Sequence, residues 1–458
     1  MSKLEVDTIA PQSGTTVTVG ESGDTVTIPT GVTLDASNAT TTLPANVVTT
    51  DGTQTLTNKS IAATQLTGTV ATSNLGTGTA DATTFLRGDQ TYASATPAAG
   101  SITTTQLAYN PNSFRNIIIN GDMSIAQRAT STSSITGSGY YTIDRFYLVN
   151  GGMGTWTQSQ STDVPTGQGF ATSLKMDCTT ADASPAASDE LVLRQQIEGQ
   201  NLQYLKKGTA SAESLTLSFW IKATKTGTNI VELFDFDNTR QISQSYTISS
   251  ANTWEKKTVT FAGDTSGVLD NDNGASFGVQ FSLGAGSNFT SGTLSTTWTS
   301  STNADRFVGQ VNHADSISNE WYITGIQLEA GTSASDFEFL PYDVNLQRCL
   351  RYCWKHGGEA SNQYLNAQGS YNDANYLAFG LVSPPVPMRA APSVTENGSV
   401  IVHRLNTDYT GWNWGFITGV QSQSWFVSGE KASHGVTAAS SVIKCPTTSD
   451  FLLYSAEL

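Results

Sequence analysis

The four histidines are the first residues to consider for chemistry, because imidazole can bind metals and transfer protons near neutral pH. They are His313, His356, His403 and His434. None of them belongs to an H-E-x-x-H motif or stands beside a second ligand at metal-binding spacing. The glycine string at 76–78 has no flanking strand and helix that would make it a phosphate-binding loop. These patterns indicate a protein that is not an enzyme.

Paired carboxylates could still cleave a glycosidic bond, because one acid protonates the leaving oxygen while the other acts as base or nucleophile. Asp235 and Asp237 are two residues apart and would share one face of a strand. Asp270 and Asp272 lie in the string VLDNDNG. Three interpretations stay open for this second pair: an Asx-rich turn, a calcium site completed by the neighbouring asparagines, and a catalytic pair.

A string near the C-terminal end, TDYTGWNWGFITG, combines aromatic rings with polar side chains, which is what a sugar ring and its hydroxyls require. The candidate glycan-binding residues of this region are Tyr409, Trp412, Trp414, Trp425, Asp408 and Asn413. Trp412 and Trp414 would share one face of a strand. If the pair is exposed, it would be a stacking platform for a sugar. If it is buried, as tryptophan usually is, it would be part of the core.

The composition favours strands and turns. Charged residues make up 13% of the 458 residues, against about 25% in a typical globular protein. β-branched Thr, which is abundant here, suits a pleated sheet, and Gly and Asn accept the backbone angles of tight turns. The sequence therefore predicts an all-β chain of two or three domains.

The charge balance bears on possible partners. There are 23 basic and 38 acidic residues, a formal net charge of −15, which repels nucleic acid and anionic membranes. We find no run of about 18 apolar residues that would insert in a membrane, and no secretion signal at the start, so we expect assembly in a cytoplasm. The four cysteines form no disulfide framework, and we expect them to be reduced.

Three regions differ in their hydrophobic pattern. Residues 1–110 carry short apolar alternations too small to bury a face alone, which predicts a thin, β-rich intertwined shaft completed by other chains. Residues 111–343 contain about nine strand candidates between turn signals, which predicts a jelly-roll β-sandwich. Residues 344–458 are expected to form a β-rich head that begins with a short helix at Leu346–Trp354.

The strand candidates of the middle region are Phe114–Ile119, Thr142–Val149, Ser173–Cys178, Leu191–Ile197, Leu215–Ile221, Asn229–Phe236, Glu255–Phe261, Ala275–Leu283 and Glu320–Leu328. The run LTLSFWIKA shows the expected alternation most clearly. Its apolar residues at 215, 217, 219 and 221 share one face, and Trp220 lies with polar residues on the other.

Several strings, in this order along the chain, resemble tail-fibre and tail-fibre-like proteins of tailed bacteriophages, especially phages of marine bacteria and cyanobacteria. In the N-terminal region they are VDTIAPQSGTTVTVGESGDTVTIPTGVTLDAS, DGTQTLTNKSI and LGTGTADATTFLRGDQTYAS. In the middle region they are NIIINGDMSIAQR, YTIDRFYL, LSFWIKATKTGTNIVEL, NTWEKKTVTFAGDTSG and ITGIQLEAGTSASDFEFLPYD. In the last region they are LQRCLRYCWKHG and VPMRAAPSV.

This resemblance implies a homotrimer in the virion tail, attached to a tail or baseplate protein by its N-terminal region, whose distal domains contact the host. It also implies a jelly roll like that of carbohydrate-binding modules in the middle region. The leading hypothesis is a non-enzymatic tail-fibre subunit that binds a host cell-surface polysaccharide. A polysaccharide depolymerase and a purely structural tail or baseplate adaptor are the alternatives.

Overall fold

A computed structural model describes residues 9–11, 13–33, 84–86, 91–94, 114–371, 376–404, 407–416, 424–431 and 441–458. The chain forms two compact units, Met1–Thr96 and Pro97–Leu458. The predicted domain boundary after residue 343 lies inside the second unit. The predicted boundaries themselves stay predictions.

The first unit has little regular structure in its described residues. Strand β1 (Thr84–Leu86) pairs antiparallel with β2 (Tyr92–Ser94), and the described residues between 9 and 33 form turns and extended segments without a strand. Their apolar side chains are exposed: Ile9, Val17, Val19, Val26, Ile28 and Val32. One chain alone therefore does not cover the apolar residues of the predicted shaft, and its completion by other chains stays a prediction.

The second unit opens with a β-sandwich. Its strands are β3 (Ser131–Ile135), β4 (Gly139–Tyr140), β5 (Tyr147–Asn150), β6 (Thr155–Ser161), β7 (Ser173–Thr180), β8 (Glu190–Glu198), β9 (Leu215–Ala223), β10 (Gly227–Asp235), β11 (Arg240–Ile248), β12 (Glu255–Phe261), β13 (Ala275–Ala285), β14 (Thr299–Ser300) and β15 (Glu320–Ala330). A seven-stranded sheet has the order β14-β11-β10-β13-β8-β5-β4, and a six-stranded sheet has the order β12-β9-β15-β7-β6-β3. The all-β prediction is confirmed.

The core lies between these two sheets and follows from the alternation along each strand. The inward residues of β9, including Phe219, are buried. The Phe219 ring meets Phe281 of the opposite sheet edge to face, with 5.1 Å between ring centroids, and Trp321 of β15 is buried beside Phe281. Truncation of such an aromatic to alanine costs roughly 3–5 kcal/mol of stability.

The predicted strand at Phe114–Ile119 is wrong. The segment lies beside β15, where the Ile117 N–H donates to the Leu328 carbonyl over 2.9 Å. A side chain replaces the backbone as the acceptor of the next hydrogen bond. The Oδ1 of Asn116 accepts bonds from the backbone N–H groups of Ile118 and Leu328. A side chain that satisfies backbone donors in this way replaces the strand ladder.

The C-terminal segment begins with helix α2 (Tyr342–Leu350); a single helical turn, α1 (Ser287–Thr290), precedes it in the sandwich. Its strands are β16 (Cys353–His356), β17 (Gln363–Tyr371), β18 (Tyr376–Val382), β19 (Ser393–Asn397), β20 (Ile401–Arg404), β21 (Thr407–Tyr409), β22 (Asn413–Phe416), β23 (Trp425–Glu430), β24 (Ser441–Cys445) and β25 (Phe451–Ser455). They form a three-stranded sheet, β16-β25-β19, and a seven-stranded sheet, β21-β20-β24-β17-β18-β23-β22. Neither described helix is long and apolar enough to cross a membrane.

The helix was predicted to continue to Trp354, but it ends at Leu350. Residues Cys353–His356 instead pair with β25, where the Trp354 ring stacks on Tyr454 with 5.1 Å between centroids. Backbone pairing with a strand a hundred residues later overrides the local helical pattern. The four cysteines are free and buried.

A buried carboxylate near the C-terminus joins this segment to the sandwich. Glu457 pairs with Arg145 and, over 3.1 Å, with Arg128. The side chains of all three residues are at least nine-tenths buried. The neighbouring backbone carbonyl of Ala456 accepts a bond from Arg389.

A second buried carboxylate strengthens the same junction. Glu198, the last residue of β8, accepts two hydrogen bonds of 2.7 Å from Arg351 and one from the Tyr352 hydroxyl. Burial alone raises the pKa of Glu198, but these hydrogen bonds outweigh it and lower the pKa. The Tyr352 ring in turn lies 3.5 Å from the Arg145 guanidinium.

Replacement of Glu457 by glutamine should destabilise the second unit by roughly 3 kcal/mol, because it leaves Arg145 buried without its carboxylate. Denaturant unfolding of both proteins measures this. Glu213→Gln is the matched control, since Glu213 pairs with Lys206 on the exposed surface and should cost less than about 1 kcal/mol. Equal stability of the two variants would contradict a structural role for the buried pair.

A buried histidine, His313, and a half-buried one, His356, should make the protein sensitive to acid. Burial lowers the pKa of His313 to about 3 and the pKa of His356 to about 4. Because the unfolded chain binds these protons more tightly, stability is complete above pH 6.5 and falls as the pH drops towards the folded-state values, by up to about 1.4 kcal/mol per pH unit for each histidine.

His313→Gln keeps a partner for the Asn229 side chain, which lies 2.7 Å from the imidazole Nε2. The His313→Gln variant should flatten the plot of unfolding free energy against pH between pH 6 and pH 4. The His356→Gln variant should flatten the part of the same plot at higher pH. A slope unchanged from the wild type in both variants would show that other groups cause the acid sensitivity.

Candidate functional site

The outer face of the six-stranded sheet gathers aromatic and charged side chains. Along β9, Trp220 and Lys222 point away from the core because they alternate with buried residues. Tyr322 of β15 is directly opposite Lys222 on one side and Lys175 of β7 on the other. We call the following residues the aromatic face: Trp220, Trp254, Tyr322, Lys175, Lys222, Asp163 and Glu320.

Lys222 contacts two of the three aromatic rings of this face, Trp254 and Tyr322. Its Nζ lies 4.1 Å from the Tyr322 ring centroid and 5.7 Å from that of Trp254, and the two rings meet edge to face. Asp163 pairs with the same ammonium group and accepts a 2.9 Å bond from the Trp254 indole. Each contact is worth about 1 kcal/mol or less at an exposed position, but together they fix the orientation of the Trp254 ring.

Glu320 is held in the ionised state. Its two oxygens accept bonds from Lys175 over 2.6 Å and from the Tyr322 hydroxyl over 2.8 Å. Burial alone would raise the pKa of Glu320, but these hydrogen bonds outweigh it and lower the pKa. Burial, together with the bond to Glu320, raises the pKa of Tyr322 to about 12. Glu320 is therefore suited to accept hydrogen bonds and unsuited to donate a proton.

The aromatic face offers both types of contact that a sugar requires. Trp220 and Trp254 are partly exposed, while Tyr322 is 7% exposed and lies between Lys175 and Lys222. Indole surface can stack on the apolar face of a pyranose ring. Carboxylate and ammonium groups at its border can bind ring hydroxyls, and their mutual pairing positions them before any ligand arrives.

The structure places the predicted C-terminal aromatics mainly in a core. Trp412 is 3% exposed, donates its indole N–H to the Tyr409 carbonyl and lies 6.5 Å from the Trp414 ring. Trp414 and Tyr409 are partly buried against the same cluster. Of the two alternatives for this residue, a stacking platform or core, the buried position of Trp412 agrees with core. The Trp425 side chain lies outside the described residues.

The polar members of that prediction remain on the surface. Asn413 and Asp408 are exposed. Asp408 accepts a 2.6 Å hydrogen bond from His403 and a 2.9 Å bond from Lys444. The half-exposed Tyr364 ring lies 5.3 Å from the imidazole. The predicted aromatics and Asp408 therefore belong to different environments.

The structure places the members of the carboxylate pairs in different local environments. Asp235 is buried and pairs with Lys207, whereas Asp237 accepts a bond from the Asp270 backbone N–H. Asp272 accepts one from the N–H of Gly274 over 2.7 Å, which is an Asx turn. Among the described residues, no group of three or more His, Cys, Asp or Glu side chains could hold a metal. Calcium binding at Asp270 and Asp272 stays a prediction.

A G-x-S-x-G string at 274–278 was missed in the sequence. In a nucleophile elbow the serine occupies a sharp turn between a strand and a helix. Ser276 is instead fully buried within strand β13. The string therefore does not form an elbow.

Sequence reasoning also missed most of the aromatic face. Trp220 on the polar side of β9 was the visible signal, since a large aromatic at an outward position needs a reason. The sequence alone does not distinguish Trp254 from Trp321, yet the first is partly exposed and the second is buried in the core.

Among solved structures, the chain is similar to the enzymatically active domain of tailspike protein 4 of bacteriophage CBA120, with 15% identity over 47% of this chain and 21% of that chain and a TM-score of 0.25. It is also similar to the N-terminal cellulose-binding domain of Cellulomonas fimi β-1,4-glucanase C (14% identity, 46% and 100% covered, TM-score 0.22). A third similar structure is the family 11 carbohydrate-binding module of Clostridium thermocellum in complex with a β-1,3-1,4-mixed-linked tetrasaccharide. It has 12% identity over 45% of this chain and 97% of that chain, with a TM-score of 0.22.

The chain thus spans about a fifth of the tailspike chain. No family model and no curated protein matches it. At TM-scores below 0.5 these likenesses assign no function to any residue. The roles of the residues on the aromatic face therefore rest on the geometry of this chain alone.

Proposed function

We propose that this protein is a non-enzymatic saccharide-binding subunit of a phage tail fibre, and that its aromatic face binds a cell-surface polysaccharide. The observation that carries the proposal is the Trp254 ring, held beside Tyr322 by Lys222 and Asp163 and still partly exposed. Three side chains that fix one partly exposed indole form a prepared stacking surface.

The chemistry of the face favours binding over cleavage. Hydrolysis of a glycoside needs one carboxylic acid kept protonated, usually by a raised pKa. On this face Lys175 and Tyr322 lower the pKa of Glu320, so it carries no proton to donate near neutral pH. A depolymerase is therefore the weaker alternative.

The tail-fibre part of the proposal is supported by the sequence strings and by the first unit. Its described residues leave alternating apolar side chains such as Val17, Val19 and Val26 exposed. Two further copies of the chain would cover them in a trimer. Three weak saccharide sites would then engage one surface together, which raises the effective concentration at each site without new contacts.

Trp254→Ala should weaken binding to the host's extracted surface polysaccharide at least tenfold, since it removes the stacking surface and about 1.4 kcal/mol or more of binding free energy. Trp220→Ala should weaken it in the same direction. Binding of the full chain to immobilised polysaccharide measures both.

Tyr342→Ala is the matched control, because Tyr342 is an exposed aromatic on helix α2, outside the face. Its affinity should equal that of the wild type. The size of the polysaccharide is followed in the same samples, and shortened polymer would establish a depolymerase. Equal binding by the wild type and Trp254→Ala would refute the aromatic face as the site.

A further inference from the structure

A separate cavity of about 520 Å³ lies at the junction between the sandwich and the C-terminal segment. Its walls come from residues 114–119, the end of β8 with the two turns after it, and helix α2 with the two residues after it. This volume is within the range of about 300–1,000 Å³ that small-ligand sites occupy. The aromatic face contributes no residue to this cavity.

The lining of this cavity is basic, although the chain has a formal net charge of −15. Arg145, Arg348 and Arg351 line it, and no aspartate or glutamate is among its described lining residues. Two of these charges are compensated from outside the cavity, because Arg145 pairs with Glu457 and Arg351 pairs with Glu198.

Arg348 is the cavity arginine that forms no salt bridge among the described residues. The structure gives it one hydrogen bond, 3.3 Å from the guanidinium to the Asn116 carbonyl, and among the described residues no carboxylate lies within salt-bridge distance. Glu338, which acts on it from further away, accepts bonds from the backbone N–H groups of Phe114 and Asn116. Burial lowers the pKa of the Arg348 guanidinium, so the cavity carries a partly desolvated cation that forms no salt bridge with a described carboxylate.

The remaining walls suit a ring with hydroxyl groups. Tyr204 is 50% exposed at the cavity, and Phe114 is 62% exposed. Ile117 and Ile119 add apolar surface, and the exposed Asn201 adds an amide. An aromatic rim, an amide and one guanidinium without a salt bridge match a sugar ring that bears a single negative charge.

We propose that this cavity binds a carboxylate-bearing saccharide, such as a uronic or sialic acid residue of an acidic polysaccharide, with Arg348 as the carboxylate's partner. A guanidinium forms two parallel hydrogen bonds to a carboxylate. One cation without a salt bridge balances one carboxylate, whereas a phosphate monoester carries about −1.5 to −2 charges. The site is independent of the aromatic face and of the function proposed for it.

The test measures binding of the full-length protein to trigalacturonate, triguluronate and sialyllactose by titration calorimetry, each beside its methyl ester, which keeps the sugar skeleton and removes the charge. At least one acid should bind, and its ester should bind at least tenfold more weakly. Arg348→Gln should weaken binding of that acid at least tenfold, and added salt should weaken it in the wild type.

Asn201→Asp is the second variant, because it changes an exposed side chain without altering its size and places a negative charge at the cavity. It should also weaken binding of the acid, and it decides the question if Arg348→Gln does not fold. Lys256→Gln is the control for total charge, since Lys256 is exposed beside Trp220 on the other sheet, and it should bind as the wild type does.

Absence of binding by all three acids, or binding that both cavity variants leave unchanged, would overturn the proposal. Binding that is lost in Trp254→Ala and kept in Arg348→Gln would also overturn it and would assign the acid to the aromatic face. Loss of binding to the host's extracted polysaccharide in Trp254→Ala, with binding of the acids kept, bears on the aromatic face alone, so the two proposals succeed or fail separately.

Discussion

The burial of Glu457 between Arg145 and Arg128 is the interaction on which the rest of the second unit depends. Several kcal/mol of desolvation oppose the burial of each such charge, so the cluster persists only while every partner is in place. It holds the residues after β25 against the sandwich, and β25 is the middle strand between β16 and β19. The cavity at this junction exists because these charges fix its walls.

Charged side chains have a different role on the aromatic face than at the junction. There the charged groups are partly exposed and pair with one another across neighbouring strands, as Lys175 does with Glu320. Such pairs add little stability. They restrict where the Trp254 and Tyr322 rings can lie, so the charges on this face serve orientation, whereas those at the junction serve attachment.

Much of the sandwich could be predicted from the sequence because strand alternation is a local property. Glu255–Phe261 was predicted with its observed bounds, and LTLSFWIKA with its inward and outward faces. Partners distant in sequence could not be predicted. Trp354 follows a helical pattern but pairs with Tyr454, and the aromatic face depends on the register that sets Tyr322 between Lys175 and Lys222. In the C-terminal segment, composition indicated a sugar-binding string, but it could not distinguish an exposed indole from a buried one such as Trp412.

An acidic protein can bind an acidic polysaccharide because the net charge and the local charge act over different distances. At physiological ionic strength exposed charges are screened beyond about 8 Å, so most of the chain's carboxylates are too distant to repel a ligand in the junction cavity. The pairs of Arg145 with Glu457 and of Arg351 with Glu198 contribute little field, and Arg348 is the cavity arginine without a salt bridge among the described residues. Partial desolvation strengthens that one cation further, since its field is weakened less by water. The position of a single arginine can therefore outweigh a net charge of −15.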